Sequence, residues 1–425
     1  MNATQEEVLK ALLETNANLF VTGGAGTGKS YTVGKWIDEL EAEALVVCAP
    51  TGIAALNIGG QTLHRTFNIP FSIAEIEYQA TIAASKMKRE KKLLLQNIEN
   101  LLIDEISMAR SDVFSFVEAV LRNVRGTDEP WGGVRIVCVG DPYQLPPIVP
   151  KHEQAKLPRP WFFQSAAWDL EPIMTMNLTK IYRQQNDQLF ANILNNIRIG
   201  QISYDDLIPL NKRRKNIPDP KAIILGTTNK KVDEINAREL AKVSGESQTF
   251  LMEYENYVDD YHIEKNIMAP LELEIKVGCR VMTLVNGAGY VNGSLGEVIE
   301  INCDPDKPDE KHYIAVRLDD GSEVSVSRFK WISAESSFEN EKLTTITLGQ
   351  AVQFPIKLGY AVTVHKSQGL TFDNLHFDNT YIFERGQAYV ALSRATSLEG
   401  LTLSKPLRKE MIITDQSVRK FMRES

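Results

Sequence analysis

One stretch of the chain places lysine, serine and glycine at a spacing that can grip a polyphosphate. Gly23-Gly24-Ala25-Gly26-Thr27-Gly28-Lys29-Ser30 matches the pattern G-x-x-x-x-G-K-[ST]. In such a loop backbone N–H groups curl around phosphate oxygens, and the N-terminus of the next helix adds partial positive charge. Lys29 is placed to reach the β- and γ-phosphates, and the Ser30 hydroxyl to ligate Mg²⁺. Two further segments carry what hydrolysis needs. Leu101-Leu102-Ile103-Asp104-Glu105 is an apolar run ending in paired carboxylates. Asp104 suits the Mg²⁺ shell, and Glu105 suits polarisation of an attacking water. Gly140-Asp141-Pro142-Tyr143-Gln144-Leu145-Pro146-Pro147 presents Gln144 to the γ-phosphate or the water on a loop that prolines stiffen. Alone, the acid pair could be a solvent-facing cap and the third segment a Pro-rich turn. Behind a phosphate loop, they read as walls of one pocket.

These loops need elements that hold them at one edge. Residues 18–22 read as a short buried strand. Residues 31–41 read as a helix, with Val33, Trp36, Ile37 and Leu40 at helical spacing. Apolar runs at 44–50, 100–104 and 134–140 each end in polar or glycine residues, as in a parallel sheet with its ligand site at the carboxyl edge. The class is α/β, with a first nucleotide-binding domain over 1–170 and a small insertion at about 65–90 that contains Phe67, Pro70 and Phe71. A second α/β domain takes 171–277 and 351–425, from the strand at 222–226, the helix at 231–243 and the runs at 357–364 and 375–380. Between them, short strands at 281–284, 296–301, 312–318 and 323–326 alternate with Asn292-Gly293 and Asp319-Asp320-Gly321 turns. They predict a β-barrel insertion over 278–350.

Composition narrows the function classes. At 425 residues the chain exceeds one ordinary core. Hydrophobic content of 43% and charged content of 24% fit a globular protein. No apolar run approaches the roughly 18 residues of a membrane span. The N-terminal segment carries Glu6 and Glu7 and no apolar centre, unlike a secretory signal or transit peptide. Cys48, Cys138, Cys279 and Cys303 are scattered, with neither a zinc pattern nor a disulfide framework, which suits a reducing cytoplasm. A net charge of −8 weighs against broad nucleic-acid coating. Binding along one groove needs only local cations, such as those at 86–92 and 212–215.

The three chemical segments resemble the first, second and third motifs of superfamily 1 helicases. The resemblance is to the Petite Integration Frequency (PIF) group of superfamily 1B, related to the RecD type. Further segments agree. Ala49-Pro50-Thr51-Gly52-Ile53-Ala54-Ala55 with Thr62-Leu63-His64-Arg65 is similar to the group's DNA-contacting motif, and the stretch from Asp112 to Arg135, with Trp131-Gly132-Gly133, to its signature segment. Thr363-Val364-His365-Lys366-Ser367-Gln368-Gly369-Leu370-Thr371 is similar to the fifth motif, and Ala388-Tyr389-Val390-Ala391-Leu392-Ser393-Arg394-Ala395 to the sixth. Matches run from about Gln5 to Thr396. Trp131 stands where Phe is more familiar, and Pro142-Tyr143 replaces a more aromatic pair.

The resemblance implies two RecA-like P-loop domains, the first with a small wedge-like insertion and the second with a Src-homology-three-like barrel. It implies an ATP-dependent DNA helicase moving 5′→3′ on single-stranded DNA, with ATP and Mg²⁺ as cofactors. Gln5 would read the adenine edge and Tyr182 stack on the base. Gly24, Ala25, Gly26, Thr27, Gly28, Lys29, Ser30 and Gly369 would surround the nucleotide. Arg183 and Arg394 would reach across the cleft to the γ-phosphate. Thr51, Gly52, His64, Thr363 and His365 would contact single-stranded DNA. Phe67 and Phe71 would stack a base or wedge the single-strand/duplex junction, or else pack the insertion's own core. The implied partners are single-stranded DNA and its junctions with duplex, with no membrane, for a working monomer in a bacterial or phage cytoplasm near the nucleoid. Two readings stay open beside it: a RecD-type motor subunit of a recombination complex, and a remodelling ATPase whose track is not DNA.

Overall fold

The computed structural model describes residues 2–40, 45–70, 72–216, 218–255, 267, 269–303, 312–339 and 342–424. Consecutive apolar residues become strands covered on both faces. β1 (Asn2–Ala3), β2 (Asn18–Gly23), β3 (Leu45–Ala49), β4 (Gln61–Thr62), β5 (Asn100–Ile103), β6 (Arg135–Gly140) and β7 (Ile173–Leu178) form one parallel sheet, ordered β1-β7-β2-β6-β5-β3-β4. All of β2 and β5 is buried, so these runs are continuously apolar and do not alternate. Parallel pairing sends every carboxyl end to one edge, where the loops after β2, β3, β5 and β6 emerge side by side.

Helices α1 (Gln5–Glu14), α2 (Lys29–Glu39), α3 (Gly52–Asn57), α4 (Leu63–Thr66), α5 (Ile76–Ser85), α6 (Arg89–Asn97) and α7 (Ser111–Arg125) accompany this sheet. A capping box starts α1: Glu7 N–H donates to Thr4 Oγ1 at 3.2 Å, and Thr4 N–H to Glu7 Oε2 at 2.7 Å. Such a cap is worth about 1 kcal/mol and fixes Gln5 in the first turn.

A second parallel sheet begins after α8 (Gln188–Arg198), with β8 (Ile223–Gly226). The chain then leaves it for β9 (Gln248–Leu251), β10 (Glu253–Glu255) and β11 (Glu272–Ile275). Next come β12 (Arg280–Thr283), β13 (Leu295–Asn302), β14 (Tyr313–Leu318), β15 (Glu323–Ser327), a long hairpin of β16 (Phe329–Glu339) and β17 (Lys342–Gln353), and β18 (Ile356–Leu358). β19 (Ala361–Thr363), β20 (Leu375–Phe377) and β21 (Leu401–Leu403) return to the second sheet, ordered β19-β8-β20-β21. Phe190, Leu194 and Ile197 of α8 pack into its core with Leu225, Val362, Leu375 and Val390.

Four boundaries differ from the sequence expectation. The first sheet continues past 170, because β7 pairs with β2 from Asn18↔Ile173 to Gly23↔Leu178. Among the described residues, the small insertion expected at about 65–90 does not stand apart from the first domain. Its residues fold as helices whose Phe67, Ile69, Ala80, Ala83 and Met87 join the core formed by Leu101, Phe114 and Trp131. The expected barrel is, among the described residues, an antiparallel sheet in the open order β15-β14-β13-β12-β18, and it takes in β18 beyond residue 350. Finally, the helix Gln416–Glu424 leaves the second sheet and docks on the first core, with the Phe421 ring stacked on Phe163 at 4.1 Å. Half-covered Phe163 and Trp168 give that amphipathic helix an apolar seat. No helix of the described residues is long and apolar enough to cross a membrane.

Candidate active site

Strand β2 delivers the glycine loop to the sheet edge, and α2 starts at Lys29 with Gly28 as its left-handed cap, φ 81°. Two of these glycines are demanded by a left-handed backbone, and Gly26 also by close approach. At Gly26, φ 77°, a Cβ would lie 2.5 Å from Arg183 Cβ, and at Gly28 it would lie 2.0 Å from Gln5 Nε2. Gln5 Nε2 donates to Thr27 O at 3.1 Å, so the residue expected at the adenine edge leans on the loop itself. Lys29 Nζ donates to Gly23 O at 2.8 Å and Gly24 O at 3.1 Å. Burial lowers its pKa, and the charges of Asp141 and Glu105 oppose that shift. Ser30 is exposed at the start of α2.

The acid pair sits at the end of β5. Asp104 is buried, and its carboxyl pKa rises to about 7 through desolvation and then through the neighbouring Glu105 charge. Glu105 takes a left-handed backbone, φ 48°, which is costly for a non-glycine residue and recurs at functional sites. Its N–H donates to Asp104 Oδ1 at 2.9 Å. Glu105 Oε2 is sealed from solvent with no hydrogen-bond partner among the described residues. Burial pushes the Glu105 carboxyl up, while the cations Lys29 and Arg394 pull it down.

Arg394 comes from the other sheet. It is 2% exposed, and its guanidinium donates to Val390 O at 3.0 Å, Leu370 O at 3.3 Å and Ser393 Oγ at 2.9 Å. Glu105 and Arg394 sense each other's charge, so the acid of the first sheet and the arginine of the second lie near one another. Gln144 is buried and accepts from Gln368 Nε2 across the cleft at 3.4 Å. Arg183 differs from expectation. Its N–H, with that of Tyr182, points to Gly26 O, so this segment lies on the phosphate-loop side and bridges to the second sheet through Arg183 Nη1 to Ser393 O at 3.0 Å. Burial and the nearby Arg394 lower the Arg183 pKa to about 9. Tyr182 is partly exposed, with Lys180 Nζ 4.9 Å from its ring centroid.

Sequence reasoning assigned no role to three residues that the structure brings together here. Asp141, fully buried, accepts from Arg198 Nε at 3.0 Å and Arg198 Nη2 at 2.9 Å, and from Tyr389 Oη at 3.2 Å. Tyr389 Oη in turn accepts the Ala25 N–H at 2.7 Å. A signal for Arg198 existed. It continues the stripe Phe190, Leu194, Ile197 onto the inward face of α8, and a cation there requires a buried partner.

The residues expected at DNA are distributed unevenly. Thr51 caps α3 by accepting the Ala54 N–H at 3.3 Å, and Gly52 is buried behind it. His64 is exposed on α4. Across the cleft, Thr363 is buried and accepts the Lys366 N–H at 3.3 Å, while burial lowers the pKa of His365. Asn57 at the end of α3 meets Asn292 Nδ2 at 3.5 Å, and its Nδ2 is what a Cβ at Gly369 would face, at 3.9 Å. Gly369, expected at the nucleotide, therefore sits by the α3 face. Phe67 is corrected: at 0% exposure it packs the first core and cannot stack a base in this arrangement. Phe71 lies outside the described residues.

A phosphate loop, an acid pair and an arginine supplied by a second parallel sheet define a two-sheet P-loop nucleoside triphosphatase. The model of the family described as PIF1-like helicase matches residues 1–207. The ATP-dependent DNA helicase Pif1 of Bdellovibrio bacteriovorus is 34% identical over 400 residues, covering 92% of this chain and 85% of that one. The chain belongs to the PIF1-like helicase family. The crystal structure of Bacteroides Pif1 with ADP-AlF4 superposes with a TM-score of 0.86 at 34% identity, covering 99% of this chain and 96% of that one. Bacteroides Pif1 bound to single-stranded DNA gives 0.70 at the same identity and the same coverage. With sequence and coverage equal, the lower value reflects a different arrangement, and this chain is nearer the first.

Proposed function

We propose that this chain is an ATP-driven DNA helicase that steps 5′→3′ along single-stranded DNA and opens duplex ahead of it. The observation that carries the reading is that Glu105 of the first sheet and the buried Arg394 of the second lie within reach of each other's charge. Hydrolysis built this way depends on how two bodies sit, which is what a motor requires. Gln5 and Tyr182 hold the base, while loop N–H groups and Lys29 hold the phosphates. Lys29 must exchange Gly23 O and Gly24 O for phosphate oxygens, a favourable trade for a cation. Glu105, with an oxygen free of partners among the described residues, orients the water and accepts its proton. Arg394 and Arg183 stabilise charge that develops on the γ-phosphoryl group, a role worth roughly 10³–10⁵ in rate.

Mg²⁺ fits this donor set. Asp104 and Glu105 are desolvated neighbours that repel each other, Ser30 offers a hydroxyl, and no group of three or more His, Cys, Asp or Glu ligands occurs among the described residues. That is the sparse carboxylate-plus-phosphate environment Mg²⁺ prefers. When bound through Ser30 and Asp104 it would neutralise phosphate charge. On the opposite face, Thr51, His64 and His365 are suited to phosphate and sugar contacts that carry no sequence information. The differing fits to the two Bacteroides Pif1 structures support a rearrangement on binding DNA. Both lips of the site lie on one chain, which supports a monomer as the working unit, acting where the DNA is.

The test is strand separation of duplexes carrying a 5′ or a 3′ single-stranded tail. Opening of 5′-tailed duplex alone is expected, and opening of 3′-tailed duplex alone overturns the polarity. DNA-stimulated hydrolysis without any strand separation would favour a RecD-type subunit.

A further inference from the structure

We propose that Tyr389 is a positioning residue, the pin of a buried latch that ties the phosphate loop to the second sheet whenever the cleft is closed. The inference rests on the reading that hydrolysis needs both lips. Tyr389 lies on the helix Gln387–Leu392, which belongs to the second core, yet its hydroxyl reaches Ala25 in the phosphate loop. The 2.7 Å bond satisfies a buried backbone N–H that has no other acceptor among the described residues. The same hydroxyl donates to Asp141 Oδ2 at 3.2 Å. Asp141 opens the loop that carries Gln144, and Arg198 of α8 holds it from the second side with three contacts of 2.9 to 3.1 Å.

One hydroxyl therefore joins three parts: the loop that grips phosphates, the loop that presents Gln144, and the helix that ends next to Arg394. Every bond is directional and buried, so the network is intact or broken with little between. When the second sheet swings away, Ala25 N–H and Asp141 must find water. When it returns, they recover protein partners without moving the phosphate loop. Tyr389 touches neither the reacting water nor the γ-phosphoryl oxygens. It acts by holding Ala25 and Asp141 where the hydrolytic groups need them.

Tyr389→Phe keeps the ring and removes only the hydroxyl, which leaves the Ala25 N–H unpaired in the closed state alone. Such an orphaned buried donor shifts the balance between closed and open about five- to hundredfold. ADP, held by the first sheet, should bind the variant as it binds the parent. A non-hydrolysable ATP analogue, whose γ-phosphate engages the second lip, should bind at least fivefold more weakly, and kcat should fall by a similar factor. In the full chain with Mg²⁺, ADP and analogue affinities are measured by fluorescent-nucleotide displacement, alongside kcat. A drop confined to the analogue supports the latch. Equal losses for both nucleotides, or losses for neither, overturn it, because a merely structural hydroxyl would not separate them. Asp141→Asn supplies a second arm. If the bond is shared, Tyr389→Phe costs less in that background than in the parent, and strict additivity overturns the Asp141 link. These affinities need no DNA. They read the latch even if single-stranded DNA proves not to be the track.

Discussion

Asp104→Asn should give a protein that is inactive but more stable than its parent at pH 8. Burial and the adjacent Glu105 charge raise the Asp104 carboxyl from an ordinary 3.8 to about 7. The folded state then binds the Asp104 proton more tightly than the unfolded chain does. Below about pH 4 both states are protonated and the group costs nothing. As pH rises toward 7 the unfolded chain ionises freely while the fold resists, so stability is lost progressively and the loss is complete above about 7. The displacement corresponds to roughly 4 kcal/mol at pH 8 and about 1–2 kcal/mol at pH 5. Asparagine has the same shape, retains an oxygen for the Glu105 N–H now bonded at 2.9 Å, and carries no charge. Denaturant unfolding followed by tryptophan fluorescence, without Mg²⁺ or nucleotide, should therefore show a benefit that grows from pH 5 to pH 8. Adding Mg²⁺ and ADP should narrow the gap by stabilising the parent more. A variant less stable than the parent at pH 8, or a benefit that does not change with pH, would refute the idea that Asp104 is held as a strained charge awaiting a cation.

Glu105→Gln should keep ATP affinity within about twofold and reduce hydrolysis by about 10² or more, read by nucleotide binding against steady-state turnover. His64→Ala should lower DNA-stimulated hydrolysis more than basal hydrolysis, and equal loss of both would remove His64 from the DNA face. Phe67→Ala should destabilise the first core by about 3–5 kcal/mol in thermal or denaturant unfolding. Its folded fraction should bind single-stranded DNA normally; a selective loss of DNA affinity at unchanged stability would restore Phe67 as a stacking residue.

The gathering of the candidate site residues at the edge of the first sheet was legible because it is local. Gly23 to Ser30, Asp104-Glu105 and Gln144 each sit on a contiguous segment whose pattern states its use, and parallel pairing collects them without further information. What could not be read was set by distant pairing. β7 alternates and lies near the sheet margin, so nothing in Ile173–Leu178 announces that it completes the phosphate-loop sheet. The helix Gln416–Glu424 follows second-sheet residues in sequence and packs on the first core in space, with Asp415 accepting from Trp161 Nε1 at 3.3 Å and Arg385 Nη1 at 2.6 Å. The Phe67 ambiguity had the same origin, because an aromatic in a short helical segment reads equally as wedge or core until its neighbours are known. Tyr389 shows the limit most plainly. Its motif was recognised, but the partner of its hydroxyl lies 364 residues away in the chain.

The central claim is that the nucleotide pocket, closed by Glu105 on one sheet and Arg394 on the other, works as a motor on single-stranded DNA. Steady-state ATP hydrolysis by the intact chain, titrated with single-stranded oligonucleotides of mixed sequence, addresses it most directly. The expected result is a large, saturable rise in kcat that varies little with base sequence and disappears in Arg394→Ala. Hydrolysis at one rate with and without DNA would contradict it.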